Sequence, residues 1–227
     1  MPNIVSAGEN SILIYFGDKI DASLPKNIAN FANQLKNEMG GVVINLIPSY
    51  TSLHVSYDLN VIDYQDFVNQ VEQCLKQNQN TASALESKTI RIPVYYGLEV
   101  GLDLERLLQE KNLDLDAFIN VHSSKEYLVY AIGFSPVFAF LGEVDERIQL
   151  PRLNTPRIKI PAGSVGIAES QTAIYPSDSS GGWNIVGRTP IDLSLNNLEN
   201  IDKFNVGNQV KFDPISRDEY LSSGGKL

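Results

Sequence analysis

Three runs decide the reading of this chain: GFSPVFAFLG at 133–142, PRLNTPRIKIPAGSVGIAESQTAIYP at 151–176 and SSGGWNIVGRTP at 179–190. Glycine and proline punctuate all three, and short apolar runs with fixed polar side chains lie between them. Glycine opens backbone conformations that other residues resist, while proline fixes φ and removes a donor. That punctuation is unsuited to helix and predicts tightly turned β-structure. Strands are expected at 158–160, 164–168, 172–175 and 183–188, with others at 127–132 and 209–212. Many short strands with turn signals between them predict a barrel or sandwich. GFSPVFAFLG itself reads as a loop-like apolar run.

Toward the N-terminus the period changes. SILIYF (11–16) is a strand, and Ile28, Phe31, Ala32, Leu35 and Met39 then recur at helical spacing until Gly40-Gly41 stops them. VVINLI (42–47) and SLHVSY (52–57) form a hairpin across PSYT, and Asp63 caps a helix carrying Phe67, Val68, Val71 and Leu75. NQNTASALESK (78–88) is polar and aperiodic, a linker. With TIRIPVYY (89–96) the chain reads strand, helix, strand, strand, helix, strand, the ferredoxin-like βαββαβ order. Pattern does not decide whether that last strand belongs to this domain or the next. Two short helices follow at 103–111 and 114–122. The tail SRDEYLSSGGKL is expected to fray. The fold class is α+β, with domains at 1–87 and 88–227.

An apolar share of 43% over 227 residues is enough to bury a core. A net charge of -9 argues against nucleic acid or an anionic membrane as main partner. MPNIVSAGEN lacks the pattern of a signal peptide and no run is long enough to span a bilayer, so a cytoplasmic protein is expected. The single cysteine, Cys74, lies beside Val71 and Leu75 and reads as a buried thiol. There is no GxxxxGK[ST] loop, no GxSxG elbow and no CxxC pair, and the histidines have no ligand-spaced partner, so no metal site is expected. His54 alternates with Leu53 and Val55 and reads as a sheet residue.

His122 closes a helix at the entrance to the β-region. It reads either as a helix-terminal histidine favoured by the macrodipole or as a general acid/base. Ser164, Glu169, Gln171, Thr172 and Tyr175 fall within one short segment. The Gln171 amide both donates and accepts, which suits a carboxylate or lactam, and a turn network explains the same spacing. Arg188 suits an anion clamp or a pair with Asp178. Arg157, with Arg152, makes a rigid basic patch for an anion or a partner. Phe134, Val137, Phe138 and Phe140 form either a buried plug or a subunit interface.

Taken with the front half and VHSSKEYLVYAIGF, these motifs closely resemble the KipI family, also called allophanate hydrolase subunit 1 or the B-type subunit of 5-oxoprolinase. The resemblance implies a ferredoxin-like domain followed by a cyclophilin-like β-barrel. It implies a subunit of an ATP-dependent 5-oxoprolinase that opens 5-oxo-L-proline to L-glutamate, inactive alone, with ATP used by the complex. Its partners are a KipA-type subunit (allophanate hydrolase subunit 2) and a LamB/YcsF-type subunit. Inhibition of a sensor histidine kinase is the alternative. His122 and Gln171 are the catalytic candidates, Arg188, Ser164, Arg157 and Tyr175 the substrate or anion contacts, and Phe134, Val137, Phe138 and Phe140 the partner surface. The chain departs from the family at Val137, Glu169 and Ala173, where glycine is usual, and at Phe140, where tyrosine is usual.

Overall fold

The periodicities just read build most of the elements. The structure, a computed structural model, describes residues 2–78, 87–196, 198–200 and 203–227. Most of the expected linker lies outside the described residues. The chain divides into two units, Met1–Ser87 and Lys88–Leu227.

The first unit holds β1 (Asn3–Ser6), β2 (Ser11–Tyr15), α1 (Leu24–Met39), β3 (Val43–Ser49), β4 (Ser52–Tyr57) and α2 (Tyr64–Asn78). Its strands run antiparallel in the order β1-β2-β4-β3. Strict alternation on β4 sends Leu53, Val55 and Tyr57 inward. They meet Ile12 and Ile14 of β2, the Ile28–Phe31–Leu35–Met39 stripe of α1, and Phe67, Val71 and Leu75 of α2. Asp63 Oδ1 accepts from the Asp66 amide at 2.9 Å, the expected cap.

The second unit holds β5 (Thr89–Val94), α3 (Leu104–Lys111), α4 (Leu115–Ser123), β6 (Glu126–Ile132), β7 (Ala139–Gly142), β8 (Arg157–Ile160), β9 (Ser164–Ala168), β10 (Gln171–Ile174), β11 (Ser179–Gly181), β12 (Asn184–Arg188), β13 (Gln209–Pro214) and α5 (Arg217–Ser222). Its main sheet runs β5-β13-β6-β7-β10-β9-β12, antiparallel except for β13 on β5. The two ends meet at one bridge, where Tyr95 and Arg188 exchange backbone hydrogen bonds of 2.9 Å. The sheet is therefore mostly antiparallel without a continuous ladder closing it into a barrel. β8 and β11 pair separately as a two-stranded ribbon.

One open point is settled and two expectations are corrected. The strand whose domain the pattern left undecided, β5, buries Ile90, Ile92 and Val94 in the second unit, while β1 takes the free edge of β2. The first unit is thus ββαββα. The loop-like run 133–142 contains β7. The tail does not fray at its start: Ser216 and Glu219 form a capping box opening α5, and Tyr220 is buried with its hydroxyl donating to the Lys226 carbonyl at 2.7 Å.

The period-2 geometry of β7, β9, β10 and β12 gives this sheet two unlike faces. Leu141, Val165, Ile167, Ile174 and Val186 enter the large core with α3 and α4. Ala168, Ala173 and Ile185 join Phe138, Ile160, Tyr175 and Trp183 in a second cluster, with Phe140 against it. Alternation places Ser164 with Gly166 and Ala168, and Gln171 with Ala173, on this aromatic face.

Candidate functional site

His122 lies on the large-core face, with no exposed surface. Its Nδ1 is 2.8 Å from the Tyr96 hydroxyl and its Nε2 is 3.1 Å from Thr172 Oγ1. Thr172 spends its own proton on the Gly166 carbonyl at 3.0 Å. Thr172 must therefore accept from Nε2–H, which leaves Nδ1 to accept from Tyr96. The ring is stacked against Phe118 and Phe212, and burial holds its pKa down to about 3. A neutral ring with both nitrogens engaged and no path to solvent ties α4 to β10. The acid/base expectation for His122 is corrected on that ground.

Five other candidates come together on the aromatic face. Gln171 opens β10 opposite Gly142 and Ala168. Ser164 opens β9; its Oγ is buried with no hydrogen-bond partner among the described residues. Tyr175 follows β10, with Trp183 donating from its backbone to the hydroxyl, and burial pushes that hydroxyl up to about 12. Glycine is required at Gly181, because the Tyr175 hydroxyl and Ile160 occupy the place of a Cβ. Phe138 is the hub, meeting Phe134, Phe140, Tyr175 and Trp183 edge-on or tilted at 4.9–5.8 Å.

The expected interface set divides. Phe134 is 67% exposed, Phe138 and Phe140 belong to the aromatic cluster, and Val137 enters the large core. A plug and a surface are both present, in different residues. Phe134 and Val137 adopt left-handed φ values of 66° and 68°, and Glu169, in the β9–β10 turn, one of 54°. Val137 and Glu169 are two of the positions where the resemblance calls for glycine, and here is the reason: the backbone asks for a conformation that costs glycine nothing.

The arginines are held more tightly than their sequence suggests. Arg157 forks onto Asp103 with bonds of 2.7 and 2.9 Å. Asp103 is nearly buried and also accepts from the Ile185 amide at 2.7 Å, so Arg157 is not a free anion clamp. Arg188 donates to the Ala162 and Lys226 carbonyls at 2.8 and 2.9 Å, while Asp178 pairs with Lys159 at 2.9 Å. The Arg188–Asp178 pair is not formed, and Arg188 instead fastens the chain end.

Asp103 is the residue that sequence reasoning missed. It read only as a helix start, and its partners lie 54 and 82 positions away. Tyr96 escaped for the same reason: its partner His122 lies 26 positions away. No group of His, Cys, Asp and Glu among the described residues could hold a metal, and no described helix is long and apolar enough to cross a membrane.

A two-faced sheet with an aromatic cluster and helices on its other side matches a known class. Residues 2–200 fit the model of the carboxyltransferase domain, subdomain C and D, and the chain belongs to that family. Within it, relatives matched along nearly their whole length include B-type subunits of 5-oxoprolinase, in agreement with the KipI resemblance. The chain is 34% identical to the B-type 5-oxoprolinase subunit of Bacillus subtilis, over 96% of this chain and 94% of the relative. It is 33% identical to the B-type 5-oxoprolinase subunit of Haemophilus influenzae, over 92% and 96%. Among solved structures, TTHA0988 superposes with a TM-score of 0.78 at 27% identity; it covers 91% of this chain, which spans 40% of that longer protein.

Proposed function

We propose that this chain serves as the B-type subunit of an ATP-dependent 5-oxoprolinase. In that reaction one water adds across the lactam C–N bond of 5-oxo-L-proline to give L-glutamate, while a second converts ATP to ADP and phosphate. The observation that carries the reading is the match to 5-oxoprolinase subunits along nearly their whole length, at 34% and 33% identity. Those names favour an enzyme subunit over inhibition of a histidine kinase.

The chain acts with a KipA-type and a LamB/YcsF-type subunit in the cytoplasm and is inactive alone. Its units are read as ferredoxin-like and as a cyclophilin-like barrel left partly open at the Tyr95–Arg188 bridge. Gln171 faces the lactam, Ser164 and Tyr175 line the same face, and Phe134 reaches the partner. ATP belongs to the complex. At the aromatic face of this chain the charge of Arg157 is already neutralised by Asp103. ADP release by the three assembled subunits tests the proposal. Release that requires both 5-oxoproline and this chain is expected; an assembled complex without it refutes the enzyme reading.

A further inference from the structure

The two arginines flanking the proline segment meet different fates. The charge of Arg157 is answered by Asp103. Arg152 is exposed, and among the described residues no ion pair or hydrogen bond of its side chain is seen. It sits over the Trp183 ring, its guanidinium carbon 5.8 Å from the centroid. The backbone on each side of it is pinned. The Pro151 carbonyl accepts from Asn184 Nδ2 at 3.0 Å, and the Leu153 amide donates to the Gly182 carbonyl at 2.8 Å. Gly182 and Asn184 are the neighbours of Trp183, so cation and indole are locked opposite each other. A guanidinium resting on a ring keeps its N–H edges free for a carboxylate.

A second observation points the same way. Ser164, 1% exposed and on the same aromatic face, has an Oγ without a partner among the described residues. Buried hydroxyls are normally paired, so this face has a hydrogen bond still to make. Phe140 and Trp183 stand beside each other on this face, their ring centroids 6.0 Å apart. The field of Arg152 also reaches the Tyr175 hydroxyl.

We propose that the aromatic face binds a small flat carboxylic acid of the 5-oxoproline class, with Arg152 taking the carboxylate from its seat on Trp183. The choice of ligand rests on the 5-oxoprolinase reading. One unpaired arginine suits one carboxylate; a triphosphate needs more positive charge than this face offers.

Trp183 is the only tryptophan, so its fluorescence reports on the site in the intact chain. The probes are 5-oxo-L-proline, 2-pyrrolidinone (the same lactam without the carboxylate) and ATP. Wild type should bind 5-oxoproline roughly tenfold or more tighter than pyrrolidinone, and Arg152→Gln should bind the two alike. Arg152→Lys, which keeps charge without the fork, should fall between. Retained discrimination in Arg152→Gln overturns the proposal. So does an Arg152-dependent response to ATP alone, or silence toward 5-oxoproline in both the chain and the assembled complex. ADP release separates this from the functional reading. Turnover with an unchanged KM for 5-oxoproline in Arg152→Gln sinks the site and spares the function. Arg152-dependent binding without turnover does the reverse.

Discussion

The two faces of the β7-β10-β9-β12 strands share one backbone and treat polar groups in opposite ways. On the large-core face, His122, Thr172, Tyr96 and Tyr127 form a closed chain of hydrogen bonds, the last through the Tyr127 hydroxyl donating to the His122 carbonyl at 2.7 Å. On the aromatic face, Ser164 Oγ is unanswered among the described residues, Arg152 rests on an indole, and Phe134 projects outward. Scaffolds satisfy their buried polar groups because each one left open costs free energy. The face that leaves such groups open is the one with capacity for a ligand or a partner. Titratable character alone pointed the other way, to His122.

The largest effect should come from Asp103, which ties the β8 ribbon to the edge of β12. Asp103→Ala strands the Arg157 charge and leaves the Ile185 amide unpaired, which should cost about 3–4 kcal/mol in urea unfolding. Adding Arg157→Met should recover a large part of that loss, since the stranded charge goes with it. A single-variant cost below about 1 kcal/mol would mean that the aromatic face does not depend on this pair for its cover.

His122 tests the opposite face. His122→Ala opens a cavity and leaves the Tyr96 hydroxyl without its acceptor, a loss of about 3 kcal/mol. The pH dependence has a definite sign. The folded pKa, held down to about 3, lies below the ordinary 6.5, so the unfolded chain takes up the proton first as pH falls. The contribution is whole above about pH 6.5 and drains away from there toward pH 3. The stability gap between wild type and His122→Ala should therefore narrow on acidification. Complexes containing the variant should keep their turnover number within a few-fold; a loss of orders of magnitude without loss of assembly would return His122 to the chemistry.

Local signals made the helices and most strands legible. The Ile28–Phe31–Leu35–Met39 stripe, the Asp63 and Asp114 caps and the β4 alternation each depend on neighbours a few residues away. The sequence also brought Ser164, Gln171, Tyr175, Phe138 and Phe140 into view, and period-2 geometry puts them on one face. Long-range pairing stayed hidden. Nothing in TIRIPV announces its parallel partner β13, more than a hundred residues on. The Ser-Pro before β7 disguised a four-residue strand as loop. The α5 capping box was readable in SRDE, but the polar, glycine-rich tail around it masked the signal. Asp103 could not be found at all, because a carboxylate opening a helix looks the same whether it caps that helix or bridges two distant elements.

The smallest effect concerns the glycine departures, and two residues with the same backbone strain should answer with opposite signs. A left-handed φ costs a non-glycine residue about 1–2 kcal/mol, and glycine loses about 0.5–1 kcal/mol of extra chain entropy on folding. Glu169 is exposed, so Glu169→Gly gives up no packing and should stabilise the chain by about 0.5–1 kcal/mol. Val137 is buried in the large core, and losing its side chain costs about 1.5–3 kcal/mol, more than the relieved strain returns. Val137→Gly should therefore destabilise. Thermal unfolding of the two variants side by side decides it: if both stabilise, Val137 packs less well than its burial indicates, and if neither moves, the left-handed turns carry no strain that glycine would relieve.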